Sequence, residues 1–189
     1  MASNFTKEKQ DFLSKKDKSR KGGIDLYIVE LVNHINSLDS YYTTSSCAGR
    51  IVLLEKRSEK KQQSGWLINK HGEITSGEIL SALKEKSHTG EIWLKQEPLI
   101  LHVRCRDLVS AKNLLDISHP LFKRSGIISI SDKGFVIEII GNKRIDCIIG
   151  DKGNVFADEK FIRETVGYAN RNFGENQKNI QRFFSRISI

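Results

Sequence analysis

The residues best suited to binding a small anionic ligand lie in one run of eight, from Thr43 to Arg50. The run reads TTSSCAGR, so four hydroxyl side chains, a thiol and a glycine precede a guanidinium group. Glycine lets a ligand approach the backbone, and hydroxyl and amide groups bind carboxylate or phosphate oxygens. Arg50 could close such a site with a bidentate contact. A plain Ser/Gly-rich hairpin turn is the more usual structure for such a run, but β-forming neighbours flank this one.

A second cluster follows from strand periodicity between Leu99 and Asp107. Alternation places His102, Arg104 and Arg106 on one face of a strand and apolar residues on the other. An imidazole and two guanidinium groups in a row suit phosphate binding, or proton transfer near neutral pH. A solvated strand face with a surface histidine would give the same pattern.

Two further side chains could take part in chemistry. Trp66 could stack on a base, although a tryptophan in the core is the more usual outcome. Cys47 would be a nucleophile only if its surroundings lowered its pKa. The three cysteines form no CxxC pair and are odd in number, so neither a disulfide framework nor a zinc site is indicated. We therefore expect reduced thiols and no metal.

Hydrophobic periodicity predicts the elements that would carry these residues. Apolar residues at helical spacing predict helices over 24–38, 76–86 and from Phe161 to Ile187. Thr75 and Glu78 fit a capping box before the second helix. Apolar and β-forming runs predict strands at 41–44, 51–54, 65–70, 91–96, 99–104, 127–131, 135–140 and 145–149. We expect the serine-rich turn to join the first two strands, and the last three to form a meander.

This pattern predicts the fold class. We expect one mixed, mainly antiparallel α/β domain over residues 1–189, with helices flanking the sheet and residues 1–21 forming a basic helix or arm. Neither a GxGxxG fingerprint nor a P-loop, HExxH or GxSxG motif occurs, so a Rossmann-type nucleotide site is not indicated.

Net charge indicates the class of partner. The chain has 31 basic and 23 acidic residues, a formal net charge of +8, which favours a polyanion such as nucleic acid over other partners. A surface charged only for solubility would give the same balance. No run approaches the roughly 20 apolar residues that span a bilayer, and no apolar block follows the basic amino terminus. We therefore expect a soluble, cytoplasmic protein.

Three segments in chain order resemble the tRNA wybutosine-synthesising protein 3 family. They are DKSRKG (17–22), YYTTSSCAGRI (41–51) and EPLILHVRCR (97–106), with Ser125-Gly126 and Ala169-Asn170 in agreement. SSCAGR is the most specific of them, and the resemblance covers nearly the whole chain. It implies S-adenosylmethionine-dependent methylation of the N(4) ring nitrogen of a 4-demethylwyosine derivative beside the anticodon of tRNA-Phe, by a fold other than the common methyltransferase fold.

Joined to that resemblance, the residues give a first hypothesis for the site. His102 is the general base, with Ser46 and Arg50 beside it in the catalytic set. Residues that hold the cofactor or stack on the modified base are Thr44, Ser45, Ser46, Gly49 and Trp66. Residues that contact tRNA or an acidic group of the substrate are Lys18, Arg20, Lys21, Arg50, Arg104 and Arg106. The expected protein is a monomer, and the alternative is a non-catalytic tRNA-binding module. A thiol enzyme centred on Cys47 is a third, weaker possibility.

Overall fold

The structure is a computed structural model that describes residues 4–15, 23–57, 64–84 and 88–187. Within these ranges the helices are α1 (Asn4–Leu13), α2 (Val29–Ser37), α3 (Ser76–Lys84), α4 (Leu108–Ser118) and α5 (Glu159–Ile187). The strands are β1 (Tyr41–Cys47), β2 (Arg50–Lys56), β3 (Ser64–Lys70), β4 (Glu91–Glu97), β5 (Ile100–Cys105), β6 (Gly126–Ser131), β7 (Gly134–Ile140), β8 (Ile145–Asp151) and β9 (Asn154–Val155).

The elements form two compact units, each with its own sheet. The first unit comprises Met1–Ala48, Leu99–Asn142 and Gln177–Ile189, and the second comprises Gly49–Pro98 and Lys143–Asn176. Every strand pair among the described residues is antiparallel. The predicted mixed, mainly antiparallel α/β class is therefore confirmed, although its strands form two sheets. That residues 1–189 act as one domain stays a prediction.

The first unit has a four-stranded sheet in the order β1-β5-β7-β6. Its core joins Leu101 and Val103 of β5 to apolar residues of α2, α4 and the last turns of α5, such as Ile35, Leu114 and Phe183. Alternation along β5 explains this packing, because every second side chain points to the helices. The opposite side of this sheet is called its outer face below.

The second unit has a five-stranded sheet in the order β3-β2-β4-β8-β9. Leu53 of β2 and Leu94 of β4 pack with Ile79 of α3 and Phe173 of α5. The capping box before α3 is confirmed, since the hydroxyl of Thr75 accepts the N–H of Glu78 at 3.2 Å and the Glu78 carboxylate accepts the N–H of Thr75 at 2.8 Å.

The predicted serine-rich hairpin is wrong. β1 continues through Ser45 and Ser46 and pairs with β5, whereas β2 pairs with β3 and β4 in the other sheet. The chain changes sheet at Gly49, where φ is +96° and a Cβ would lie 2.9 Å from the carbonyl oxygen of Glu97. Glycine alone adopts that backbone there without strain. The predicted meander is likewise divided, because β6 and β7 pair while β8 joins the second sheet.

Across the described ranges, none of the helices combines the length and the apolar composition needed to cross a bilayer.

Candidate active site

The end of β1 is fixed through the peptide groups of Ala48, which is fully buried. Its N–H donates to Oδ2 of Asp25 at 2.9 Å, and its carbonyl oxygen accepts Nε2–H of Gln177 at 3.0 Å. Asp25 is only 4% exposed, and one of its carboxylate oxygens lies within 4.8 Å of Sγ of Cys47. A buried carboxylate bonded to the backbone fixes a strand end, so the SSCA segment has a defined position in the first unit.

Three polar residues lie side by side across the outer face of the first sheet. The register places Ser45 of β1 opposite His102 of β5, and His102 opposite Glu138 of β7. Residues opposite each other on antiparallel strands project to the same face, so these three form what we call the polar row. Nε2 of His102 lies 2.9 Å from Oε2 of Glu138, and both side chains are 28% exposed. This row can hold an imidazole in one orientation while leaving it accessible.

The other hydroxyl residues of the run lie beside this row. The hydroxyl of Thr44 donates to the carbonyl oxygen of His102 at 3.4 Å, next to the bulge between Thr43 and Ser45. Ser46 is paired with Leu101, one position further along, and therefore projects to the other side of the pleat from His102. The structure thus brings Thr44 and Ser45 to the histidine and separates the side chain of Ser46 from it.

Arg104, predicted to bind phosphate, is buried. It is 7% exposed and lies opposite Tyr42 of β1, with its Nε 3.7 Å from Oε1 of Glu8 in α1. Tyr42 donates its hydroxyl to the same carboxylate at 2.9 Å, and burial, followed by this bond, raises the pKa of Tyr42 to about 12. Phe5 and Phe12 of α1 pack on the Tyr42 ring. Helix α1 therefore covers this part of the outer face.

Arg50 begins β2 in the second unit. Its Nε donates to Oε2 of Glu97 at 2.5 Å, and its guanidinium carbon lies 4.7 Å from the centre of the Trp66 ring. Trp66 is 42% exposed, so the interpretation of this residue as a core tryptophan is wrong. The pair presents a flat cation and a flat aromatic ring together at the surface.

The remaining predicted residues lie apart from these groups or outside the description. Arg106 is exposed and its Nε lies 3.1 Å from Oδ2 of Asp107. Lys18, Arg20 and Lys21 fall outside the described residues. Burial raises the pKa of the Cys105 thiol to about 12, which makes that thiol unreactive at neutral pH.

Comparison with known proteins identifies the family. The family model described as "Methyltransferase TYW3" matches residues 7–189. The chain belongs to the TYW3 methyltransferase family. A relative from Methanocaldococcus jannaschii, named tRNA(Phe) 7-((3-amino-3-carboxypropyl)-4-demethylwyosine(37)-N(4))-methyltransferase, is 35% identical over 171 residues, which cover 89% of this chain and 88% of that protein. The human tRNA wybutosine-synthesizing protein 3 homolog is 34% identical over 189 residues, covering 97% of this chain and 72% of that protein.

Solved structures of archaeal proteins share the fold of this TYW3-family chain. The PH1069 protein from Pyrococcus horikoshii matches with a TM-score of 0.87 at 34% identity, covering 97% of this chain and 96% of that one. A protein from Aeropyrum pernix matches with a TM-score of 0.74 at 27% identity, covering 86% and 96% of the two chains. The family resemblance inferred from SSCAGR is therefore confirmed, and so is the expectation that the chain is a methyltransferase.

Two residues of this TYW3-family chain were missed by sequence reasoning. Asp25 stood alone between Ile24 and Leu26, and nothing local showed that it would bond Ala48. Glu138 is the one charged residue in the otherwise apolar strand β7, a signal that this side chain faces away from the core. That signal could have placed Glu138 beside His102 only if the β5–β7 pairing had been known.

Proposed function

We propose that this chain transfers the methyl group of S-adenosylmethionine to the N(4) ring nitrogen of a 4-demethylwyosine nucleoside beside the anticodon of tRNA(Phe). The observation that carries the proposal is the family match over residues 7–189, together with relatives about 35% identical that are named for this reaction. The net charge of +8 supports a nucleic-acid substrate.

The donor groups of the serine-rich run suit the methyl donor. The cofactor supplies a methyl group that its sulfonium has already activated for transfer to nitrogen. Thr44 and Ser45 are exposed beside His102, and hydroxyl groups in such a position can bind the carboxylate or ribose of a nucleoside-amino acid conjugate. The assignments of Ser46 and Gly49 to the cofactor stay sequence-based predictions, because the Ser46 side chain projects to the other side of the pleat and Gly49 belongs to the second unit.

His102 is proposed as the base that removes the proton from the acceptor nitrogen. Because Nε2 bonds to the Glu138 carboxylate, the favoured tautomer carries its proton there and leaves the lone pair of Nδ1 to accept one. Glu138 then acts as a positioning residue, since it holds the ring and stabilises the imidazolium once formed. General-base assistance of this kind contributes roughly a hundredfold to ten-thousandfold to a rate.

The residues proposed to bind tRNA come from several separate segments of the chain. Arg106 is exposed enough to reach a phosphate or the acidic end of the substrate, whereas the burial of Arg104 argues for a supporting role beneath α1. Arg50 is paired with Glu97, so it is assigned to the substrate through the flat face of its guanidinium group and not through a phosphate contact. Lys18, Arg20 and Lys21 are proposed to follow the anticodon stem-loop backbone. The widely spaced cysteines without a CxxC pair support reduced thiols and hence a cytoplasmic protein. That the protein is monomeric and needs no metal stays a prediction.

The test is methyl transfer from labelled S-adenosylmethionine into tRNA(Phe) that lacks only the N(4) methyl group, followed by nucleoside mass spectrometry. Label in the fully methylated wyosine derivative is the expected result, and label at another nucleoside contradicts the proposal. Thermal unfolding with S-adenosylmethionine separates the enzyme from a non-catalytic tRNA-binding module. A ligand at ~100 times its Kd stabilises a protein by about 2.7 kcal/mol, whereas a pure RNA-binding module gives no shift.

A further inference from the structure

The outer face of the second sheet carries both tryptophans of the chain in one cross-strand row. The register pairs Leu54 of β2 with Trp66 of β3 on one side and with Trp93 of β4 on the other, and Trp93 pairs with Ile148 of β8. Paired residues project to the same face, so these four side chains form a line over four strands. We call them the tryptophan row.

The side chains of the tryptophan row are accessible to solvent. Trp66 and Ile148 are each 42% exposed, and Leu54 and Trp93 are half-buried. Single apolar residues at a surface need no explanation, but a contiguous line that includes two indoles is typical of a binding surface.

Each indole of the row has a cation over it. The guanidinium carbon of Arg50 lies 4.7 Å from the centre of the Trp66 ring, and Nζ of Lys95 lies 4.7 Å from the centre of the Trp93 ring. Such cation–π pairs orient the rings and leave the face opposite the cation for another partner. The polar edge of Trp93 is already used, since its Nε1–H donates to Oε2 of Glu91 at 2.9 Å. The guanidinium plane is itself a surface on which a flat ring can stack.

A carboxylate neutralises each of these cations. Nε of Arg50 bonds to Glu97 at 2.5 Å, and Nζ of Lys95 lies 2.9 Å from Oδ1 of Asp146. A face whose cations are already paired gains little from a phosphate, because its local charge is close to balanced. It gains more from a neutral, flat, polarisable ring, and a nucleobase is a ring of that kind.

We propose that the tryptophan row is a stacking surface for two unpaired bases of an RNA loop, one on each indole. β2 lies between the strands of Trp66 and Trp93, so the backbones that carry the two indoles are two strand spacings, or roughly 10 Å, apart. That distance exceeds the width of one base and suits two bases splayed over a sheet, an arrangement that other sheet-based RNA-binding domains use. The net charge of +8 favours RNA over an apolar peptide, and only the choice of the tRNA anticodon loop as the RNA rests on the proposed function.

Intrinsic fluorescence tests this surface directly, because the chain contains no tryptophan outside the row. The probe is a synthetic anticodon stem-loop, titrated without cofactor, and the control is the same stem as a fully paired duplex. Stacking on an indole should quench the fluorescence with the stem-loop at concentrations at which the duplex has no effect. Equal quenching by both RNAs, or none by either, would overturn the proposal.

Variants then assign the effect to the row. Trp66→Leu and Trp93→Leu should each weaken stem-loop binding about 5- to 100-fold, since stacking on one aromatic residue contributes that much per base. Trp93→Phe keeps an aromatic ring and should recover part of the loss. Tyr168→Leu is the matched control, because Tyr168 is 57% exposed and has the guanidinium of Arg171 4.1 Å from its ring centre, but lies on α5.

The outcomes separate this proposal from the proposed function. Leucine variants that are folded by circular dichroism and bind the stem-loop within about twofold of the parent contradict the stacking surface, whatever the methyltransferase assay shows. A loss equal to theirs in Tyr168→Leu contradicts it as well. Conversely, loop-specific quenching in a protein that transfers no methyl group supports the stacking surface while the proposed function fails.

Discussion

The outer faces of the two sheets carry different chemistry although the same rule builds both. In each unit an antiparallel sheet packs one side on helices, so alternate residues of every strand are left facing away from the core. In the first unit those residues include the polar row of Ser45, His102 and Glu138. In the second they form the tryptophan row around Trp66 and Trp93. One face can move a proton and the other can hold a flat ring.

Under the two proposals above, this difference predicts that the two faces have separate roles. A histidine bonded to a carboxylate but 28% exposed can exchange a proton with a substrate, and nothing in the tryptophan row can do so. The indoles, in turn, offer the stacking surface that the polar row lacks. Replacements on one face should therefore change turnover, and replacements on the other should change RNA affinity.

The largest effect is expected from removing the proposed base. His102→Asn should lower the turnover number at least about a hundredfold, the lower bound of general-base assistance, and leave stem-loop affinity within about twofold. Single-turnover kinetics and a binding titration on the same preparation measure the two quantities. His119→Asn is the control, because His119 is an exposed histidine of the first unit bonded to the carbonyl of Ser125.

Two outcomes would contradict these separate roles. Turnover of His102→Asn near that of the parent shows that another group or water is the base. A parallel loss of RNA affinity shows that the polar row belongs to the recognition surface instead.

Sequence reasoning found the elements whose signals are local. The helix ending at Ile187 was predicted from apolar spacing, and α3 from its capping box at Thr75. Alternation along β5 correctly sorted Leu101 and Val103 to the core and His102 to the other face. Each of these features depends on residues a few positions apart, so a single sequence contains the information.

The pairing of the strands could not be predicted from a single sequence. The serine-rich run was interpreted as a hairpin because its two flanks are both β-forming, yet β1 pairs with a strand more than fifty positions away. Periodicity determines which face a residue takes but not which strand lies beside it. The pairs Ser45–His102 and Leu54–Trp93 both join strands that are not consecutive in the chain. The site could therefore be predicted residue by residue but not as a constellation.

The core faces of the two sheets differ as well, and replacing Glu55 tests whether its buried carboxylate stabilises the second unit. β5 turns only apolar side chains to the first core, whereas β2 ends the core face of the second sheet with Glu55, whose side chain is 2% exposed. Its carboxylate accepts the N–H groups of Thr89 at 2.7 Å and Gly90 at 3.3 Å and bonds to Arg57 at 2.8 Å. Glu55→Gln should lower the free energy of unfolding by about 2 kcal/mol, because a buried bonded charge is lost.

The pH dependence follows from the same contacts. The Arg57 hydrogen bond, with smaller contributions from Thr89 and Gly90, lowers the pKa of Glu55 to about 2. Because the pKa of Glu55 is lower in the folded protein, this stabilisation is complete above the unfolded-state pKa of ~4.3 and is lost as the pH falls towards the folded-state pKa. Denaturant unfolding at neutral pH and at acidic pH should show the gap between parent and Glu55→Gln shrinking in acid. A gap that stays constant would show that the carboxylate charge does not stabilise the second unit.

Replacing Glu138 should have a smaller effect on turnover than replacing His102, because Glu138 is proposed to position the ring and not to accept the proton. Glu138→Gln keeps a side chain of the same size but cannot stabilise an imidazolium, so the turnover number should fall roughly tenfold with KM for tRNA unchanged. Glu138→Asp should recover part of it. Glu175→Gln, which removes an exposed carboxylate paired with Lys143, is the control and should leave both constants unchanged. A rise in KM without a change in turnover would assign Glu138 to substrate binding.

The smallest effect is expected at Cys47, and it decides what kind of chemistry the first unit performs. A thiol enzyme would need this residue, half-buried beside Asp25, as its nucleophile. Methyl transfer from a sulfonium to a ring nitrogen forms no bond to the protein, so Cys47→Ala should retain turnover within about threefold of the parent. Single-turnover methyl transfer measures the rate, and thermal shift with S-adenosylmethionine shows that the cofactor still binds. A loss beyond about a hundredfold with cofactor binding intact would make the thiol, and not the polar row, the reacting group of this unit.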